Sequence, residues 1–91
     1  IKIILMNINE LIAIVKNKLE KEIVIKELKI EDKTFLHKKH KSYQNGKFHL
    51  KIVINSDELS KTSRIVSTKK IYSILDLEMK EYIHSIQILL N

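Results

Sequence analysis

Hydrophobic residues recur at helical spacing near the start of the chain. The stripe consists of Ile8, Leu11, Ile12, Val15 and Leu19. This i, i+3, i+4 pattern is typical of an amphipathic helix. Asn7 precedes the stripe and Glu10 follows Asn7 by three residues, which indicates a capping box: Asn7 accepts from the backbone of Glu10, whose side chain reaches back. We predict a helix that starts after Asn7 and ends near residues 20–21.

Two later segments alternate between apolar and polar residues, which is the pattern of β-strands. In the first, Ile23, Ile25, Leu28 and Ile30 alternate with charged residues, with a phase slip at residues 26–27 that indicates a bulge. In the second, one predicted face carries Phe48, Leu50, Ile52 and Ile54, and the other carries His49, Lys51, Val53 and Asn55. Residues 35–47 lack apolar periodicity, so we predict a polar, basic loop in which Gly46 is the natural site for a positive φ.

The C-terminal half combines helical and strand patterns. Ser56 and Asp57 are suited to cap a turn or short helix. A longer helix is predicted over residues 63–80, with one stripe of Ile65, Thr68, Tyr72, Leu75 and Met79, widened by Ile71, Ile74 and Leu77. A final strand is predicted over residues 83–90, with His84, Ile86, Ile88 and Leu90 on one face and Ile83, Ser85, Gln87 and Leu89 on the other.

This order of helix, strand, strand, helix, strand predicts an α+β fold: a single domain with a three-stranded sheet and helices on one face. The second and third strands are joined through a helix, which allows a parallel pair with a right-handed crossover. We place the domain at residues 6–91. Met6 directly precedes the helix cap, so we expect it to be the translation start and residues 1–5 to be an N-terminal extension or a frayed end.

Composition narrows the class of protein. The 91 residues are 44% hydrophobic but only 5% aromatic, which predicts one small aliphatic core. No stretch reaches the roughly 18 apolar residues of a membrane helix, and the apolar start is too short for a signal peptide. We therefore expect a soluble, cytoplasmic protein without membrane contact. The sequence contains no Cys, so any soft metal centre needs thiolates from a partner.

The chain is basic, with a net charge of +6 carried by sixteen Lys and Arg64. This charge allows a polyanionic partner, although the heavy use of Ile and Lys is also what AT-rich codon usage produces. Candidate nucleic-acid contacts are Lys61, Arg64, Lys69 and Lys70. A Gly-x-x-Gly clamp and an aromatic stacking platform are both missing from the sequence. Neither a phosphate-binding loop nor a recognisable catalytic motif is present, so we predict a protein that is not an enzyme.

The histidines supply the most specific pattern. His40 falls in the polar loop, His49 opens a predicted strand and His84 opens the last one. The strand reads His-Leu-Lys-Ile-Val-Ile-Asn-Ser-Asp over residues 49–57, and Ile-His-Ser-Ile follows over residues 83–86. This order resembles the BolA family, whose pattern has a loop His, a strand of the type His-Phe-Lys-Val-x-Val-x-Ser-Asp and a later Val-His-Ala-Leu.

The resemblance extends along most of the chain but has departures. Ser63 matches the Ser of the family's Phe-x-Gly-x-Ser pattern, whereas Leu59 and Lys61 replace its Phe and Gly. Residues 67–69, Ser-Thr-Lys, stand where the family has Arg-His-Arg and keep only its last basic position. The basic signature is therefore diluted, while the pair His40 and His84 is intact.

The resemblance implies a KH-like fold and a role beside a monothiol glutaredoxin in iron–sulfur cluster assembly, trafficking or iron sensing. It implies a 2Fe–2S cluster bridged between the two proteins, with His84 and His40 as ligands and His37 as the alternative to His40. The partner's Cys and a glutathione thiol would supply sulfur, and His can replace Cys on such a cluster. We expect the isolated protein to be a monomer without a cofactor, and His49 to be structural.

Three alternatives stay open. The family also includes proteins described as transcriptional regulators, so DNA binding through Lys61, Arg64, Lys69 and Lys70 is the main rival. His37 and His40 are three residues apart, a spacing that can hold zinc on a helix, so three or four of the histidines form a candidate zinc site. The third alternative is a protein-interaction module that holds no metal.

Overall fold

The computed structural model describes residues 6–34 and 47–91. Its elements are α1 (Ile8–Glu22), β1 (Glu27–Asp32), β2 (Phe48–Asn55), α2 (Asp57–Ser60), α3 (Arg64–Ile74), α4 (Asp76–Glu81) and β3 (Ile83–Leu90). The predicted α+β fold with a three-stranded sheet is confirmed. Predictions for residues 1–5 and 35–46, including Gly46, His37 and His40, lie outside the described residues. Within the described ranges, no helix has the length and apolar character needed to cross a membrane.

Helix α1 begins at the predicted cap. The Glu10 backbone N–H donates to Asn7 Oδ1 at 2.8 Å, and Asn7 Nδ2 donates to Glu10 Oε1 at 2.8 Å. The returning bond thus involves the Asn7 side chain rather than its backbone. Leu11, Val15 and Leu19 form the fully buried stripe. The cap therefore sets the helix start, and the stripe sets which side of α1 enters the core.

The sheet has the order β1-β2-β3, with β1 antiparallel and β3 parallel to the central β2. The parallel pair agrees with the prediction. The prediction that the first strand starts at Ile23 is wrong, because Ile23 caps α1 by donating its N–H to Leu19 O at 2.9 Å and is buried in the core. Strand β1 starts only at Glu27, so the phase slip at residues 26–27 marks the strand boundary and not a bulge.

The core lies between one face of the sheet and the helices. Leu50, Ile52 and Ile54 of β2 are nearly fully buried, as predicted for their face. They belong to one cluster whose other members include Leu11, Val15, Leu19, Ile71, Leu75, Ile86 and Ile88. Burying an aliphatic side chain of this size contributes about 1.5–3 kcal/mol relative to leaving it exposed. The buried aliphatic side chains of the described residues thus form one core.

The predicted continuous helix over residues 63–80 is wrong in two respects. It is divided at Leu75 into α3 and α4, and its predicted buried stripe is only partly the one observed: Ile71 and Leu75 are fully buried as predicted, but Ile65 is not. Ile65 is 69% exposed, whereas Ser67 is 1% exposed. Ser67 Oγ donates to Leu59 O at 3.0 Å and bonds to Thr62 Oγ1 at 2.6 Å, so its polar group is satisfied inside the protein. This polar contact orients α3 against α2.

Candidate metal-ligand site at the start of the last strand

Strand β3 is irregular where it begins. Phe48 pairs with Ile83, but the next residue of β2, His49, pairs with Ser85, so His84 is the extra residue of a β-bulge. Strict alternation predicted Ile83 and Ser85 on the same face. That prediction is wrong for Ile83, which is 1% exposed and belongs to the core. A bulge redirects a side chain next to the ladder, and here the redirected residue is His84.

His84 is partly exposed and lies against a buried histidine. The ring centroids of His84 and His49 are 4.9 Å apart, and the ring planes are tilted by 53°. His49 is 3% exposed, although its position in β2 places it on the face opposite the helices. Because a neutral imidazole nitrogen is a good metal ligand, His84 combines suitable chemistry with access from outside.

His49 is held through both its ring and its backbone. Its Nδ1 lies 2.7 Å from Ser85 Oγ, and its backbone N–H donates to Thr34 Oγ1 at 3.1 Å. The Thr34 hydroxyl in turn donates to Asp32 Oδ1 at 2.5 Å, and the Thr34 backbone N–H donates to the same oxygen at 3.0 Å. These bonds connect the end of β1, the start of β2 and the bulge of β3.

The other predicted metal ligands, His40 and His37, lie outside the described residues. Within residues 6–34 and 47–91, no group of three or more His, Asp or Glu side chains is placed to hold a metal ion. A zinc site is therefore not formed by those residues alone. In the described part of the chain, His84 offers one nitrogen ligand, and a metal centre here needs further ligands from the 35–46 segment or from a partner.

The four candidate nucleic-acid residues lie along α2 and α3. Lys61 caps α2, Arg64 opens α3, and both are exposed together with Lys69. Lys70 is engaged, since its Nζ lies 2.6 Å from Glu58 Oε2. The bond from Lys70, followed by a bond from the Val24 backbone N–H, lowers the pKa of Glu58 below its ordinary value of 4.5. All four cations are thus exposed, and Lys70 is in addition paired with a carboxylate.

Sequence reasoning missed Ser85 and Thr34. Ser85 meets His49 only because of the bulge, and Thr34 follows β1 and accepts a hydrogen bond from the His49 backbone. Thr34 belongs to no recognisable motif, and Ser85 stands where the family pattern has Ala, so the pattern assigns no role to its hydroxyl. The alternation of β2 did place His49 opposite the core face. A polar residue two positions after a hydrophobic strand start was the only available signal, and it is too common to be specific.

The arrangement defines a class of small α+β domains: helices on one face of a sheet whose last strand is parallel to the central one and carries a histidine near its start. The sequence model of the BolA-like protein family matches residues 19–91. The chain therefore belongs to the BolA-like protein family, which is not a known enzyme family.

Solved structures show the same architecture. The BolA domain of SufE1 from Arabidopsis thaliana is 29% identical, with 87% of each chain covered and a TM-score of 0.74. BolA1 from Arabidopsis thaliana is 23% identical, with 86% of each chain covered and a TM-score of 0.73. BolA1 from Mus musculus is 17% identical, with 85% of this chain and 60% of that chain covered and a TM-score of 0.67. No curated protein sequence matches the chain significantly.

Proposed function

We propose that this BolA-like domain acts with a monothiol glutaredoxin in the assembly, trafficking or sensing of iron–sulfur clusters. The observation that carries the proposal is His84, partly exposed on a bulge and packed against the buried ring of His49. Membership of the BolA-like family supports the same role. The cluster is cargo shared between two proteins, and the isolated chain needs no cofactor of its own.

The donor set of the chain fits half of such a centre. His84 would supply one nitrogen ligand, with His40 the second and His37 its alternative. Since the sequence contains no Cys, the thiolates would come from the glutaredoxin and from glutathione. A cluster with His in place of Cys on one iron has a higher reduction potential than an all-Cys cluster, which suits transfer or sensing.

The residues around His84 position it as a ligand. Ile83, buried in the core, fixes the backbone immediately before His84. The bulge then directs the His84 ring away from the regular ladder. Because the other ligands would come from outside the described residues, the site is completed only when a partner approaches.

The test is to mix cluster-loaded glutaredoxin with this protein and record visible circular dichroism. The wild-type protein should form a heterodimer with an altered spectrum, because nitrogen ligands replace two thiolates. His84→Ala should abolish the change. His40→Ala should weaken it less, because His37 can substitute. Gln87→Ala, an exposed residue of the same strand, is the control and should behave as wild type. A wild-type spectrum from His84→Ala would reject the cluster mechanism in favour of the metal-free interaction module.

DNA binding is the second candidate, favoured by the exposure of Lys61, Arg64 and Lys69 and by the lack of acidic residues in α3. If this surface binds duplex DNA, affinity should fall steeply with salt, since binding releases counterions. Replacing the three residues by Gln should lower affinity evenly across DNA sequences, while Lys70→Gln, whose cation is paired, should have less effect. The absence of a gel shift at low salt would reject this candidate.

A further inference from the structure

We infer that His49 is a positioning residue: it fixes the ring of His84 in the orientation in which a partner meets it. The inference rests on the proposed function, because it assigns His84 the role of ligand. Two contacts carry it. The rings lie 4.9 Å apart, and His49 Nδ1 lies 2.7 Å from the hydroxyl of Ser85, the residue that directly follows His84.

The bulge explains why His84 needs such a neighbour. The extra residue of a bulge has no direct partner in the ladder, so cross-strand pairing constrains it less than a regular strand residue. His49 restrains the bulge through two contacts. Its ring packs on the ring of His84, and its bond to Ser85 ties down the backbone immediately after the bulge.

His49 itself is firmly anchored. It is 3% exposed, and its backbone N–H donates to Thr34, which is bound in turn to Asp32 at the end of β1. A displacement of His49 would therefore disturb β1 and β2 together. The contact with His49 therefore ties the orientation of the His84 ring to the central strand β2.

An imidazole at this position is chemically meaningful. An aliphatic side chain would fill the same space without the cost of burying polar nitrogen atoms, which must be hydrogen-bonded to be tolerated. The polar pair formed by His49 and Ser85 adds direction that packing alone lacks. Groups that hydrogen-bond to a metal-ligating His change metal affinity by about 10–100-fold when they are replaced, and a residue that orients such a His through ring packing is expected to act in the same direction.

The experiment compares four variants in the free protein and in the glutaredoxin complex. Ser85→Ala removes the hydroxyl that bonds to His49 Nδ1. His49→Phe keeps an aromatic ring at position 49 but cannot bond to Ser85. His49→Asn retains a polar group where Nδ1 lies, and Gln87→Ala is the matched control on the same strand. The readouts are NMR signals of the His84 imidazole in the free protein and the lifetime of the shared cluster in the complex.

Ser85→Ala should weaken the ring–ring contact signal between His49 and His84, and His49→Phe should shift the His84 signals. Both variants should shorten the cluster lifetime by up to roughly tenfold. His49→Asn should retain more of the lifetime than His49→Phe, and Gln87→Ala should match wild type. Unchanged His84 signals and an unchanged lifetime in Ser85→Ala would overturn the inference. If His49→Phe fails to fold, Ser85→Ala decides alone.

The two proposals fail in different ways. If the wild-type protein takes up no cluster, the proposed function is rejected, and the His84 signals of the free variants still decide whether His49 orients that ring. If the cluster forms normally and Ser85→Ala changes neither readout, the function stands and the positioning role is rejected.

Discussion

Helices α1 and α3 pack beside the same sheet, yet they meet the core by different rules. In α1 the apolar stripe of Leu11, Val15 and Leu19 is buried, and the residues between its members are exposed or only partly buried. In α3 a serine, Ser67, is buried beside Ile71, whereas Ile65 is 69% exposed. The first helix is placed by its hydrophobic pattern, and the second by a polar contact to the preceding turn.

The two helices differ in how much their hydrophobic residues contribute to the free energy of folding. Because Ser67 is bonded to Leu59 O, α3 turns Ile65 and Val66 outward, where they contribute little to the core. Hydrophobic side chains that stay exposed to water in this way add little to the free energy of folding. We therefore expect substitutions at buried and at exposed hydrophobic residues to change the free energy of unfolding by different amounts.

The two isoleucines of α3 provide the largest contrast. Ile71 is fully buried and Ile65 is mostly exposed, on the same helix and with the same side chain. Ile71→Ala should destabilise the protein by about 3 kcal/mol, because it removes transfer energy and leaves a cavity. Ile65→Ala should stay within about 0.5 kcal/mol of wild type. Urea unfolding of both variants measures the difference, and equal losses would show that α3 is oriented differently from this structure.

An ion pair tests whether α1 depends on its apolar stripe alone. Lys18 Nζ lies 2.6 Å from Glu78 Oε2, and the Glu78 side chain is 4% exposed. Lys18→Met should cost about 2 kcal/mol because it leaves a buried carboxylate without its cation. This is below the roughly 3–5 kcal/mol for a fully buried pair, since Lys18 is 38% exposed.

The matching double variant completes this cycle. Lys18→Met combined with Glu78→Leu should recover most of the lost stability, because no unpaired charge is then left in the core. Denaturant midpoints of the two single variants and the double variant give the coupling energy. Additive losses would mean that the pair does not link α1 to α4.

The smallest effect is expected on the outer side of α3, where Lys70 pairs with Glu58. The bond from Lys70, and then that from Val24, hold the pKa of Glu58 below 4.5, so the unfolded chain takes up this proton first as pH falls. The stabilising contribution is therefore complete above about pH 4.5 and is lost as pH falls further through the lowered pKa. Glu58→Gln should remove this pH dependence, measured as the difference in urea midpoint between the variant and wild type at pH 7 and pH 3. A wild-type pH profile in Glu58→Gln would refute it.

The sequence predicted those parts of the fold that depend on periodicity and local capping. The cap at Asn7, the stripe of α1 and the two faces of β2 were correct because each follows from local spacing. The predicted start of β1 was wrong because a buried apolar residue such as Ile23 fits both a strand and the end of a helix that packs into the core. The predicted stripe of the second long helix was right for Ile71 and wrong for Ile65, because the burial of Ser67 is recognisable only from its tertiary bonds.

For the site, the sequence indicated His84 but not its surroundings. The order of histidines identified the residue, and the family match supports the resemblance on which that choice depended. The bulge was not predicted, because a register shift depends on which residues of two distant strands are paired. The roles of His84, His40, Lys61, Arg64, Lys69 and Lys70 stay predictions, to be decided by the experiments above.

The parallel pairing of β2 with β3 predicts an order in which the strands pair during folding. Antiparallel β1 and β2 are consecutive strands, whereas residues 56–82, which contain three helices, separate β2 from β3 in the chain. A pairing that closes a longer segment is expected to form later. We expect pulsed hydrogen exchange during refolding to protect the β1–β2 amides before those of β3, and simultaneous protection would contradict this order. In that order His84 would meet His49 late, so the surface that the two rings form together would be present only in the completed fold.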